Sequence, residues 1–284
     1  MCTPHLHLFG IFSLAVSLCV ANPWLAGSAA LRRPFLPAAL DTAGHRLAGA
    51  VFVEAGRDPA QAYDEVRWVE DLAARWPVLC GAVAHADLER GGDVAAALRR
   101  LAALPLVRGV RRNLQDEPPG FALADGHVDG VRLLAGHGLV AELCVRAAQL
   151  SEVTELVARL PQVTFVLDHL GKPPVRAGTP APWREQLRRL AGHPNVVCKL
   201  SGLTTEADHA RWRPGDVLPY LRHALAEFGP ERCLFGSDWP VATLATGYDR
   251  WLAVVLEALH GRTSAQRAQV LGGTATRVYR LPAG

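Results

Sequence analysis

The chain has 284 residues, half of them hydrophobic and a fifth charged, and its 30 basic residues nearly balance 27 acidic ones. That composition excludes a disordered or collagen-like chain, and a net charge of +3 points to neither a nucleic-acid nor a membrane-surface partner. The length suits about two ordinary domains or one (β/α) barrel of roughly 250 residues.

Taken in chain order, the first element is Met1–Phe9, which carries His5-Leu6-His7 and reads as a strand. Residues 8–22 form an atypical uncharged segment with the length of an export-signal core. The preceding MCTPHLH lacks the lysine or arginine of such a signal, so the chain reads as cytoplasmic. After residue 45 short β-branched or apolar runs alternate with longer amphipathic stretches. Strands are predicted at 50–56, 79–87, 106–114, 139–146, 163–171, 195–202 and 232–240. Helical three- and four-residue spacing fills AQAYDEVRWVEDLAARW, VAAALRRLAAL, SEVTELVARL, WREQLRRLAG, VLPYLRHALAEFG and YDRWLAVVLEALHG. Asp58-Pro59 and Ser151 mark helix starts, and Gly229 and Gly261 mark stops.

Alternating β and α elements imply a parallel sheet, and Met1–Phe9 is the candidate eighth strand that would close a barrel. The alternative is a doubly wound open sheet, but neither GxGxxG nor GxxxxGK[ST] is present. No linker or internal repeat beyond the β–α unit interrupts the chain, so 1–284 reads as one domain. The six cysteines form no CxxC pair and four sit in apolar runs, which fits buried thiols in a reducing setting.

Nearly every apolar run ends on its C-terminal side in ionisable groups: Glu54, His85-Asp87, Arg111-Arg112, Glu142, Asp168-His169, Lys199-Ser201 and Ser237-Asp238. In a parallel barrel these ends share one face, and that face carries the active site. Two motifs are sharp. FVLDHLGKPP delivers Asp168 and His169 at the end of a strand, although a lone histidine there is more often a satisfied loop residue. LFGSDWP places Asp238 directly after the last strand, where a helix cap is the competing reading. His5 and His7, at i and i+2 on a strand, would point the same way. With His169 and Asp238 they would offer three nitrogens and one oxygen to zinc or a similar divalent ion.

HLH, VLDHLGKPP, CKLSGL, LFGSDWPV and GVRRNLQDEP together resemble the amidohydrolase superfamily. More narrowly, they resemble its amidohydrolase-related branch, which includes sugar lactonases such as L-fuconolactonase and L-rhamnonolactonase and 2-pyrone-4,6-dicarboxylate lactonase. The resemblance implies an α/β fold, a (β/α)8 TIM barrel, and a hydrolase acting in carbohydrate catabolism on a small-molecule lactone of a sugar acid or related carboxylate. It implies a metal site at His5, His7, His169 and Asp238, although the branch also has members that work without metal. It makes Asp238 the general base for the hydrolytic water, with His169 polarising the carbonyl, and aims Arg111 at the substrate. Thr3 stands where the family has an aspartate.

Arg112 is a second candidate for substrate hydroxyls or a carboxylate, with ion pairs to Glu142 or Asp116 as the alternative for both arginines. Glu54, His85, Gln115 and Lys199 are further pocket candidates. A C–N amidohydrolase or a metal-dependent decarboxylase is the alternative activity. Only two of the basic residues are lysines, Lys172 and Lys199, against 28 arginines, so each surviving lysine is informative. Lys199 is expected to point into the pocket, and Lys172 to sit at a rim or turn.

Overall fold

The computed structural model of the chain describes residues 8–12 and 29–282. Eight parallel strands form one sheet in strict sequence order: β1 (Leu8–Phe12), β2 (Leu47–Val53), β3 (Leu79–Ala84), β4 (Val107–Arg111), β5 (Val140–Leu143), β6 (Phe165–Leu167), β7 (Val196–Leu200) and β8 (Cys233–Phe235). The sheet curls until β1 runs beside β8, which gives the expected (β/α)8 barrel. The described part of the first strand falls on LFGIF, overlapping the end of the expected Met1–Phe9 and entering the uncharged segment. His5 and His7 lie outside the described residues.

Each strand from β2 onward is followed by a helix: α1 (Ala62–Arg75), α2 (Ala95–Ala102), α3 (Asp125–Gly136), α4 (Leu150–Arg159), α5 (Ala181–Ala191), α6 (Pro214–Phe228) and α7 (Tyr248–Ala258). Two short helices, α8 (Ser264–Ala268) and α9 (Thr274–Val278), complete the C-terminal part. Asp58 caps as its sequence context suggests, accepting from the Ala60 N–H at 2.9 Å. Helix α3 has no counterpart among the predicted stretches, because its glycines dilute the apolar pattern. They are there for contact: a Cβ on Gly130 would stand 1.9 Å from the Leu88 carbonyl oxygen. None of the described helices is long and apolar enough to cross a membrane.

The two-residue alternation of each strand sorts side chains between two cores. Ala50, Phe52, Phe165, Leu167, Val196, Cys198, Leu200, Cys233 and Phe235 face outward and pack with the helices in the larger cluster. Val51, Val53, Val83, Val140, Val166, Val197 and Leu234 face inward and fill the barrel, closed off by Val278, Tyr279 and Leu281 after β8. Cys80, Cys144, Cys198 and Cys233 are free thiols.

Glu65 on α1 is an exception to the apolar packing. It is 3% exposed, and the Ala55 N–H donates to its Oε1 at a long 3.4 Å. Burial, reinforced by nearby Glu54, pushes its carboxyl up to about 8. A folded-state value above the unfolded one means that the folded chain keeps a proton that the unfolded chain has lost. Stability from this group is therefore present at low pH and drains away as pH rises from about 4.5 to about 8. Glu65→Gln removes that loss. Its melting temperature should climb relative to wild type between pH 5 and pH 8, and a difference that stays flat across that range would contradict the assignment.

Candidate active site

Above the valine layer, the next inward positions of β4–β7 are charged: Arg111, Glu142, Asp168 and Lys199. Register puts Arg111 opposite Glu142. Arg111 donates from Nε to Glu54 Oε1 at 2.7 Å, from Nη2 to the Glu54 carbonyl at 2.7 Å and from Nη1 to Asp168 Oδ2 at 3.0 Å. Lys199 Nζ lies 2.5 Å from Asp168 Oδ1 and 2.8 Å from Glu142 Oε2. Tyr279 donates its hydroxyl to the other oxygen of Glu142 from below. Buried charges survive when they are paired, and here every member is, although Asp168 Oδ1 meets Lys199 as an ion pair without an aligned hydrogen bond. Burial pulls against Asp168, yet the Lys199 and Arg111 charges hold its carboxyl well below the ordinary carboxylate range. Burial and the charge of Asp168 push Glu142 the other way, to about 7.

Immediately above this layer the chain leaves β6 through a strained turn. His169, Leu170 and Lys172 all have positive φ, at 52°, 54° and 48°. Non-glycine residues reach that region only when their surroundings hold them there. Leu170 is fully buried and its carbonyl accepts from the Trp183 indole at 2.8 Å; the Lys172 N–H donates to the His169 carbonyl at 2.8 Å. Gly202 gives the His169 ring its space: φ is +67°, and a Cβ there would stand 2.4 Å from Nδ1. Nδ1 is fixed by the Ser201 hydroxyl at 2.9 Å, which leaves Nε2 for the cavity.

Asp238 reaches the same point from the β8 end, again with positive φ, at 55°. Its carboxylate is not a helix cap, since the short helical turn at Val241–Leu244 has no side-chain cap. Asp238 Oδ1 instead faces His169 Nε2 at 3.8 Å. Burial pushes the Asp238 carboxyl up to about 7, and the positive charge of Lys172 only partly offsets this. Burial likewise drives His169 down to about 3, so the ring is neutral. A carboxylate poised near neutrality beside a neutral imidazole is a proton-transfer pair.

The pair opens onto a cavity of about 400 Å³, also lined by Glu54, Arg111, Asn113, Gln115, Asp116, Cys144, Lys172 and Thr205. That places Glu54, Arg111, His169, Asp238 and Gln115 of the sequence candidates together. Arg112 is not brought in. It is adjacent to Arg111 on an alternating strand and so points the other way, into Glu89 and Glu117, with its guanidinium over the Phe121 ring. His85 turns to Asp87 at 3.0 Å. Lys172 lies in a turn as expected, but that turn also brings it to the cavity, while Lys199 lies one layer deeper than expected. Lys199 is spent in the buried layer, 2% exposed, whereas Lys172 lines the cavity and donates to Gln115 Oε1.

Of the four ligands expected for a divalent ion, His169 and Asp238 lie among the described residues, and they fit one. Metal bonds of about 2.0–2.2 Å allow two donors on one ion to stand roughly 3–4 Å apart. The observed 3.8 Å falls in that range, the imidazole is already deprotonated, and the desolvated carboxylate gains from a cation. Cys144, Asp168 and His169 also bring ligand atoms within 4.8 Å of one another. Asp168 already faces Lys199 and Arg111 with its two oxygens, so that trio is a poor second site.

Comparison with known proteins shows the family. The sequence model of the amidohydrolase family matches residues 4–281. The L-fucono-1,5-lactonase of Burkholderia multivorans is 40% identical over 280 residues, covering 92% of this chain and 91% of that protein. The L-fucono-1,5-lactonase of Burkholderia ambifaria is 34% identical over 227 residues, covering 77% and 76%. A crystal structure of an amidohydrolase from Burkholderia multivorans with bound zinc superposes with a TM-score of 0.88 at 33% identity, covering 97% of this chain and 100% of that one.

Proposed function

The chain belongs to the amidohydrolase family, and from that premise we propose that it is a hydrolase opening the ring ester of a sugar-acid lactone, of the L-fucono-1,5-lactone type. One observation carries the reading: Asp238 Oδ1 and His169 Nε2 face each other 3.8 Å apart in a cavity of about 400 Å³. Around them Glu54, Asn113, Gln115 and Thr205 offer the polar groups that a polyhydroxylated ring needs for orientation. The likeness to two lactonases supports the substrate class.

In the reaction, ionised Asp238 takes a proton from water as the water oxygen bonds to the lactone carbonyl carbon. His169, held by Ser201, presents Nε2 to the reacting centre and fixes the direction of attack. The tetrahedral intermediate collapses by breaking the bond to the ring oxygen. Protonated Asp238 returns its proton to that oxygen, which becomes the hydroxyl of the opened acid; the new carboxylic acid loses its proton to solvent. His169 and Asp238, with His5 and His7 outside the described residues, are assigned as the holders of a divalent ion, zinc by donor type. When bound it supplies Lewis-acid polarisation of the carbonyl. Free thiols and a sugar-derived substrate favour a role in cytoplasmic carbohydrate catabolism.

The test is acid release from purified protein on L-fucono-1,5-lactone and related sugar lactones, beside amides and aromatic carboxylic acids, before and after chelation and zinc return. Turnover of sugar lactones that falls on chelation and recovers with zinc is expected. Cleavage of amides or loss of carbon dioxide, with sugar lactones untouched, would overturn the reading.

A further inference from the structure

Two cations among the described residues line the cavity, Arg111 and Lys172, and they are not equivalent. Arg111 is committed: its three bonds to Glu54 and Asp168 hold it in the buried layer below. Lys172 donates to the neutral amide oxygen of Gln115, and none of the ion pairs found among the described residues includes it. Among the described residues, the acidic groups whose fields reach it include Asp116, which pairs with Arg146 at 2.8 Å, Asp238, the proposed base, and the buried Cys144 thiol. An ammonium steered by an amide keeps spare N–H donors for a ligand.

Two independent facts argue that this placement is built and not incidental. Lys172 sits at φ 48°, at the end of the same strained turn that delivers His169, so one distorted segment aims both groups at one cavity. The chain also uses arginine for 28 of its 30 cationic side chains. A compact point charge is kept here, where a planar fork would fill the space the substrate needs.

We propose that Lys172, oriented by Gln115, donates to the negative charge created by the reaction, alongside the divalent ion assigned to His169 and Asp238. This rests on the lactonase reading above. The lactone is neutral; when the water oxygen adds to the carbonyl carbon, the π electrons move to the exocyclic oxygen, and Lys172 Nζ donates to that oxygen. After the ring C–O bond breaks and Asp238 protonates the ring oxygen, the same ammonium holds the carboxylate of the open acid. A charge that meets anionic transition state and product, but not the neutral substrate, acts on kcat and on product affinity more than on KM.

Lys172→Met is therefore expected to lower kcat by about 100-fold, the scale of one oxyanion donor, with KM changed less than about threefold. Inhibition by the open-chain aldonate should weaken about tenfold, one factor of ten in affinity. Lys172→Gln, which keeps a donor but not the charge, should show the same pattern and guards against a local effect of methionine on the turn. Gln115→Leu, which leaves the ammonium unsteered, should lose less than either. If kcat of both Lys172 variants stays within threefold of wild type, or if the loss lies in KM with product inhibition unchanged, the proposal is wrong. Should wild type open no lactone at all, the functional reading fails. The charge assignment is then judged by calorimetric binding of the aldonate: a tenfold weaker Lys172→Met supports it, and equal affinity overturns it.

Discussion

Asp238→Asn is expected to reduce kcat on a sugar lactone by about 10³-fold, within the range that a positioned general base contributes. The substitution keeps the shape of the side chain and its position opposite His169, so folding and the cavity should be retained. What disappears is the ability to take and return a proton. Burial has already raised this carboxyl to about 7. An ionised carboxylate can accept a proton from water in the transition state and, once protonated, give it to the departing ring oxygen. Asparagine does neither. Because Asp238 is also an assigned metal-holding residue, zinc content should be measured on the same sample and assay rates compared at equal loading. Turnover within tenfold of wild type under those conditions would remove Asp238 from the proton-transfer role and leave His169 Nε2 as the acceptor to test next.

The fold and the positions of His169 and Asp238 were open to sequence reading because each follows from a local rule, whereas their roles came from the family resemblance. The alternation of inward and outward residues is set by the strand itself, and the positions of Asp168, His169 and Asp238 follow from where their strands end. What escaped depends on depth and on backbone shape. Lys199 and Lys172 both lie at or just after strands, but Lys199 is an inward strand position one layer below the cavity floor. Lys172 is carried past the strand by a turn with three positive φ values outside glycine, a conformation that no propensity of His, Leu or Lys announces. Arg112 is different: the two-residue period already puts it opposite Arg111, so parity alone could have removed it from the pocket. Helix α3 was hidden because Gly126 and Gly130 serve a close backbone crossing, with the Glu89 and Leu88 carbonyls 2.3 Å and 1.9 Å from where a Cβ would stand, and not helix propensity.

The buried layer beneath the site sets up the second large effect. Lys199→Met should destabilise the protein by about 3–5 kcal/mol, the cost of removing one partner from a buried ion pair. At about 2–4 °C per kcal/mol for a chain of this order, the melting temperature should fall by roughly 10 °C. Lys199 is the only cation touching both Asp168 and Glu142 among the described residues, at 2.5 and 2.8 Å, and the carboxylates are 1% and 0% exposed. Asp168 would keep Arg111, and Glu142 would keep Tyr279. Glu142 is held near 7 even with the ammonium present, so it should become protonated in the variant, while Asp168 stays charged and half-paired. Adding Glu142→Gln to Lys199→Met should then recover part of the loss, because it replaces the carboxyl that lost its cation with a neutral amide. Arginine is not a remedy. Lys199 Cγ lies 3.1 Å from where a Cβ on Gly236 would stand, so the stem is already closely packed and a guanidinium would overfill the layer. A Lys199→Met protein that melts within 2 °C of wild type would show that the Arg111 charge and the Tyr279 hydrogen bond suffice for the layer, and that Lys199 is retained there for a reason other than stability.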